Sequence, residues 1–122
     1  KDIRELQVAK GATRTGVEIL KKTMGISDDD IDEVYLAGSF GNYVSAESAA
    51  AIGLVPGSLR NRITSIGNAA GRGARMALCS LKARQEAREL TARMEHVLLA
   101  DRPDFIDEFM AAMQFLDVQQ IG

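Results

Sequence analysis

The sequence is poor in the residues that build disulfides, metal centres and aromatic stacking surfaces. Its 122 residues include one cysteine, one histidine, two prolines and no tryptophan, and aromatic residues make up 5%. A single cysteine excludes an intrachain disulfide and a multi-cysteine metal site. We expect Cys79 to be an inert core residue, because it lies in an apolar run. His96 has no cysteine at metal-ligand spacing, which favours a structural or surface histidine.

Long hydrophobic runs are also missing. No apolar run approaches the roughly 18–20 residues that cross a bilayer, which excludes a transmembrane protein. The chain starts without a long apolar segment, so no signal peptide is visible and we expect a cytoplasmic protein. It also begins without methionine, which we take to indicate a piece of a longer protein. The net charge of −2 argues against a protein that binds nucleic acid.

Charge is distributed unevenly along the chain. Residues 60–93 carry eight basic and two acidic side chains, whereas residues 27–48 carry six acidic ones and no basic one. Two interpretations of the basic stretch are open. It either faces an anionic ligand or an acidic partner, or it forms ordinary solvated helix faces.

Helical and β-type patterns alternate along the sequence. This order predicts an α/β fold with a parallel sheet and right-handed crossovers. Two strands make a poor sheet by themselves, so we expect part of the fold to come from outside this chain or from a partner chain. Small residues in the first and third long helices predict close packing of another backbone. The predicted elements are helices over residues 2–24, 46–52, 69–80, 82–94 and 104–113, a buried strand over residues 33–37 and a second strand over residues 62–66.

Both predicted strands end in glycine. The first runs into a glycine loop over residues 38–42 (GSFGN), and the second ends at Gly67 and Asn68. Open α/β sheets bind ligands at the carboxyl edge of their strands, and glycine lets a ligand approach the backbone closely. We therefore expect the two loops to frame one crevice, although a purely steric role for the glycines is equally open. Standard phosphate-loop, nucleophile-elbow and metal-binding motifs are missing.

Four separate blocks of the sequence resemble one protein family in order and spacing. They are residues 2–12 (DIRELQVAKGA), 34–41 (VYLAGSFG), 52–56 (IGLVP) and 65–70 (SIGNAA). The chain is similar to the carboxyl-terminal ATPase part of the reductive activators of corrinoid enzymes. These iron–sulfur proteins belong to the superfamily of actin, heat-shock chaperones and sugar kinases (ASKHA). The resemblance implies a partial ribonuclease-H-like domain, with a short parallel sheet flanked by helices and a helix-rich carboxyl-terminal end.

The resemblance also implies an adenosine site for ATP or ADP, with Mg²⁺ in the full-length protein. In such families the strand and glycine turn contact the nucleoside, and here Ser39 stands where glycine is more usual. Two basic residues of the first helix would flank the base, or would simply be solvated. The expected site residues are Gly38, Ser39, Phe40, Gly41, Lys10, Arg14 and Asn68.

In the full family proteins, an amino-terminal [2Fe–2S] domain passes an electron to the corrinoid protein of a methyltransferase system. ATP hydrolysis drives the return of inactive Co(II) to Co(I). This chain lacks the four-cysteine pattern of that cluster and the superfamily's first phosphate-binding hairpin. By this resemblance, residues 1–122 form a carboxyl-terminal subdomain fragment of an actin-like ATPase region. We expect the fragment alone to be catalytically silent and to pair with the rest of its own ATPase region.

Two other functions are compatible with the same residues. The chain would serve as a non-enzymatic assembly or docking domain if its glycine turns are structural and its basic stretch binds a partner. A small receiver-like or kinase-like domain fits less well, because the strand ends carry glycine and asparagine instead of acidic residues. An exposed sheet edge invites pairing with another chain, so we also expect a homodimer.

Overall fold

Helices dominate the chain and flank one pair of strands. The computed structural model describes residues 2–115, apart from the side chains of residues 40 and 41. Short 3₁₀ turns cover residues 28–30, 57–62 and 99–101. This arrangement confirms the predicted α/β class. The elements are α1 (Asp2–Met24), β1 (Val34–Ala37), α2 (Gly38–Tyr43), α3 (Ala46–Ala51), β2 (Ile63–Gly67), α4 (Ala69–Cys79), α5 (Leu81–Arg93) and α6 (Phe105–Met113).

The two strands pair in parallel, as the alternation of elements predicted. Val34 lies opposite Ile63, and the pairing continues to Ala37 opposite Gly67. Leu36 is the buried residue of β1, whereas the neighbouring Tyr35 is exposed. The prediction of a buried β1 therefore holds only for Leu36, because Val34 is half-buried and Tyr35 and Ala37 are exposed. Successive side chains of a strand point to opposite faces of the sheet, and only one face of β1 is packed by residues 2–115.

The main hydrophobic core lies between the sheet and the segment that follows α3. Ser45 begins α3 as its N-cap, since its hydroxyl accepts a hydrogen bond from the Ser48 N–H at 3.0 Å. The turn after this helix then brings apolar side chains back onto β1. The core residues are Leu36, Ala49, Leu54, Val55 and Leu59.

α1 and α6 pack against each other as a helix pair beside this core. Gly11 makes the close approach possible, because a Cβ atom at this position would lie 2.9 Å from Met113 Cγ. Lys22 pairs with Glu108 across the same contact. The predicted small-residue contact of the first helix is therefore confirmed. Its partner is the last helix of the chain.

The glycine segment after β1 differs from the prediction. Residues 38–42 were expected to form a loop, but Gly38–Tyr43 forms the short helix α2, which packs against both strands. The reason is the backbone of Gly38, whose φ of +66° turns the chain sharply enough to enter a helix at once. The prediction of an open loop was wrong, although its position at the end of β1 was right.

The α4–α5 hairpin also departs from prediction. Neither helix has a buried residue within the described part of the chain, and Cys79 is exposed instead of lying in a core. A Cβ atom on Gly73 would meet nothing within 4 Å, so the small-residue face of α4 is not packed by residues 2–115. None of the helices described here has the length and hydropathy that a membrane crossing requires.

Candidate functional site at the carboxyl edge of the sheet

The two glycine turns lie at the same edge of the sheet. Gly38 follows Ala37 directly, and Ala37 lies opposite Gly67. Both glycines adopt left-handed backbone conformations, with φ of +66° and +61°. Because the strands are parallel, both chains leave the sheet at this edge and turn into α2 and α4. The structure therefore brings the two strand ends together, as expected from the sequence.

Bare main chain is exposed at this edge. A Cβ atom built on Gly38 would meet no other atom within 4 Å, so open space faces its backbone. The equivalent atom on Gly67 would lie 3.4 Å from Asn42 Oδ1, which places the Asn42 side chain beside the second turn. Ser39 is exposed on α2. Asn42 was not predicted as a site residue, although its place directly after the glycine motif was a signal for it.

Asn68 organises the second turn. Its Oδ1 accepts a hydrogen bond from the Gly71 N–H at 2.9 Å and so caps the first turn of α4. A side chain at Gly71 would collide with this cap, because a Cβ atom there would lie 2.5 Å from Asn68 Nδ2. The structural role of Asn68 as a helix cap therefore uses its oxygen. The amide nitrogen can donate to a ligand, because the capping bond is accepted by the oxygen.

An open groove of about 420 Å³ runs from this edge along α4. The Arg72 guanidinium donates a hydrogen bond to the Ile66 carbonyl, which holds that side chain against the strand end. Arg75 lines the same groove one turn further along. Two arginines of the basic stretch thus face the candidate site and give it a positive potential that suits an anionic ligand.

Lys10 and Arg14 lie in a different place. Both side chains line a second cavity, between α1, α6 and Gly53, which has no lining residue in common with the groove at Asn68. Only 2% of the Lys10 surface is exposed. Burial lowers the pKa of the Lys10 ammonium, and the nearby Arg14 charge lowers it further. The structure therefore groups Gly38 with Gly67 and Asn68, but it separates the two basic residues of α1 from the groove.

The residues at the sheet edge fit a nucleotide. A nucleoside needs room beside the backbone, which the open space at Gly38 provides, and polar partners for its ribose and base, which Ser39, Asn42 and Asn68 can supply. Within residues 2–115, no three His, Cys, Asp or Glu side chains lie together as a metal site.

Comparison with known proteins identifies the family. Residues 1–121 match a family model described as the C-terminal domain of RACo, the ASKHA domain. The solved structure of a reductive activator for corrinoid, iron-sulfur protein superposes with a TM-score of 0.85 at 36% identity. That comparison covers 93% of this chain and 18% of the other.

Two curated relatives agree with this match. The corrinoid activation enzyme RamQ of Eubacterium limosum is 37% identical over 117 residues, which is 96% of this chain and 20% of that protein. A [Co(II) methylated amine-specific corrinoid protein] reductase of Methanosarcina barkeri is 26% identical over 94% of this chain and 22% of its own length. This chain thus spans about a fifth of each relative. The chain therefore belongs to the RACo C-terminal (ASKHA) domain family, which is the family of the reductive activators of corrinoid proteins.

Proposed function

We propose that the sheet edge at Gly38 and Gly67 binds the adenosine part of ATP or ADP. The observation that carries the proposal is the pair of left-handed glycines at adjacent ends of parallel strands, one of them facing open space. Ligands of open α/β sheets bind at this edge, and main chain without side chains allows a nucleoside to lie against it. The backbone of residues 38–41 would contact the nucleoside, with the Ser39 hydroxyl and the Asn68 amide as polar partners.

The positive groove beside this edge suits the phosphate-bearing side of the same ligand. Arg72 and Arg75 line it, and guanidinium groups bind phosphate oxygens with well-defined geometry. Mg²⁺ would arrive with ATP as its counter-ion. The role of Lys10 and Arg14 beside the base stays a prediction. The cavity that these two residues line has no lining residue in common with the groove.

The proposed activity of the whole protein is the ATP-dependent reductive activation of a corrinoid protein. Two relatives are named as a corrinoid activation enzyme and a corrinoid protein reductase, and a similar solved structure as a reductive activator, but this chain spans only about a fifth of each. The electron would come from a [2Fe–2S] cluster held elsewhere in the full-length protein, since Cys79 alone cannot supply four thiolates. Co(II) of the partner accepts that electron and becomes Co(I). We place this reaction in the cytoplasm, where ATP is available as substrate.

A matched pair of glycine substitutions in the full-length protein tests the adenosine site. Gly25 has the same φ of +66° as Gly38 and the same open surroundings, so Gly25→Leu reproduces the backbone strain of Gly38→Leu. Left-handed conformations cost an L-residue roughly 1–2 kcal/mol, and we expect this loss of stability in both variants.

Only Gly38→Leu should also lower ATP hydrolysis and corrinoid reduction, because its side chain would fill the space meant for the nucleoside. We expect at least a tenfold loss, corresponding to about 1.4 kcal/mol of binding. Equal ATPase activity of the two variants would contradict the proposal.

A docking function is supported by a separate observation. The α4–α5 hairpin has no buried residue within residues 2–115, carries exposed apolar side chains such as Leu81, and is rich in arginine. If this hairpin docks an acidic partner, Arg88→Glu combined with Arg93→Glu would weaken complex formation with the corrinoid protein and leave ATP hydrolysis unchanged. Loss of both complex formation and ATP hydrolysis, or of neither, would speak against docking.

Light scattering tests the predicted homodimer, and a monomeric mass would refute it.

A further inference from the structure

The cavity between α1 and α6 contains a buried ammonium group. Lys10 is 2% exposed, and its Nζ donates a hydrogen bond to the carbonyl of Gln114 and lies 4.8 Å from the centre of the Phe115 ring. Neither partner carries a full negative charge. Within residues 2–115, no carboxylate lies within salt-bridge distance of Lys10.

The carboxylates that line this cavity are already paired with other cations. Glu18 accepts hydrogen bonds from Arg14 at 2.8 Å and from Lys21 at 2.9 Å. Glu108, on α6, pairs with Lys22. The two acidic side chains are therefore neutralised by neighbours on α1. Among the residues that the structure describes, neither of these carboxylates is left to pair with the Lys10 ammonium.

A buried ammonium without a counter-charge is unfavourable, because burial removes its hydration and weak dipoles replace only part of it. An ammonium has three N–H donors, and Gln114 accepts from one of them. Small residues, Ala111, Ala112 and Gly53, also line the cavity. The cavity has a volume of about 330 Å³, and Lys10 is one of its lining residues.

We propose that this cavity is a binding site for a small oxyanion, the phosphate or carboxylate group of a ligand, with the Lys10 ammonium as its counter-charge. Arg14 lines the same cavity, but its guanidinium is already paired with Glu18, so Lys10 is the group that would hold the anion. The site is separate from the sheet edge, because the two cavities have no lining residue in common. A test of this oxyanion site can therefore fail or succeed independently of a test of the proposed nucleotide site.

The test compares two lysine-to-methionine variants. Methionine keeps much of the length of lysine and removes its charge. Lys82 is the control, because its side chain is 87% exposed and its only described ion pair is a 3.9 Å contact with Glu86. Inorganic phosphate and acetate are titrated separately into each protein at constant ionic strength, and heat of binding and thermal midpoint are recorded.

We expect saturable binding of at least one of the two anions to the unsubstituted protein and to Lys82→Met. Lys10→Met should weaken it by about tenfold or more, as for the loss of a charge-assisted hydrogen bond. The preferred anion tells whether a phosphate or a carboxylate group is the natural ligand. If Lys10→Met does not fold, the Lys10 Cε resonance in the unsubstituted protein gives the same information. It should move on titration, while that of Lys82 stays fixed.

Three results would overturn the proposal. The first is no saturable response to either anion. The second is an equal response of Lys10→Met and Lys82→Met. The third is anion binding that is detected only in the Asp117→Asn variant. That result would mean that a carboxylate of the chain itself is the counter-charge of Lys10.

Discussion

Ala37 lies opposite Gly67, although Leu36 just before it pairs with Ser65. One extra residue of β2 is thus accommodated at the end of the strand, in the manner of a β-bulge. This irregularity places Gly67 level with the end of β1, next to Gly38. The nucleotide site proposed above depends on this local change of register.

Gly67→Ala should lower the free energy of unfolding by about 1–2 kcal/mol, because alanine resists the left-handed backbone that Gly67 adopts at φ +61°. Denaturant unfolding measures this change. The nearest atom to the added Cβ would be Asn42 Oδ1 at 3.4 Å, an ordinary contact distance that small shifts accommodate. Adding Asn42→Ala should therefore restore none of the loss. Full restoration would show that crowding, and not backbone conformation, makes glycine necessary.

The same substitution should have opposite effects at two helical glycines. Gly73→Ala should raise the free energy of unfolding by about 1 kcal/mol, since alanine favours helix and meets nothing within 4 Å. Gly11→Ala should lower it by about 1 kcal/mol, because the new Cβ would lie 2.9 Å from Met113 Cγ and force α1 and α6 apart. Thermal or chemical unfolding of both variants checks this. A stabilised Gly11→Ala would mean that α6 does not pack on this face of α1.

Asn68 combines a capping role with a proposed ligand contact, and two substitutions separate them. Asn68→Ala removes the oxygen that caps α4 and should cost about 0.5–2 kcal/mol of stability. Asn68→Ser keeps a capping oxygen and should leave stability nearly unchanged. It should still weaken nucleotide binding about threefold to tenfold, since the amide donor is lost. Unchanged affinity of the serine variant would remove Asn68 from the site.

Acid should destabilise the junction between α1 and the 3₁₀ turn that follows it. Burial raises the pKa of Asp28, but hydrogen bonds from Lys21 and Ser58 outweigh it and hold that pKa below its ordinary value. A carboxyl group with a lowered pKa in the folded state stabilises the fold fully above its unfolded pKa, about 3.9, and loses that contribution as the pH falls through the folded value.

Asp28→Asn should therefore flatten the loss of stability below about pH 4, which unfolding curves from pH 7 to pH 2 would show. Asp29→Asn is the control, because no side-chain hydrogen bond or ion pair of Asp29 is found within residues 2–115. Similar acid profiles for the two variants would show that the pairing of Asp28 with Lys21 does not contribute to stability.

The order of elements was readable from the sequence because helical and β-type patterns alternate along it. α1 begins and ends where the pattern and Gly25 predicted, and the two strands pair in parallel as expected. The nature of α2 was not readable. A stretch with two glycines in six residues has low helix propensity, and only the turn at Gly38 and packing against the strands make it helical.

The environment of single side chains was harder to predict than the elements. Lys10 is buried by residues 104 positions later in the chain, a contact that no local pattern reveals. Cys79 lies in an apolar run that suggests a core, yet within residues 2–115 nothing covers this part of α4. An apolar pattern shows which face of a helix is expected to be buried, but it does not show whether the element that buries it belongs to the same chain.

The α4–α5 hairpin therefore differs from the rest of the chain in how its order is maintained. Its two helices pack on each other and their first turns are capped by Asn68 and Ser80, but residues 2–115 bury no residue of either helix. Hydrogen exchange should consequently be fastest there and slowest around Leu59. If a second protein slows that exchange, the amides that become protected identify the residues to which it binds.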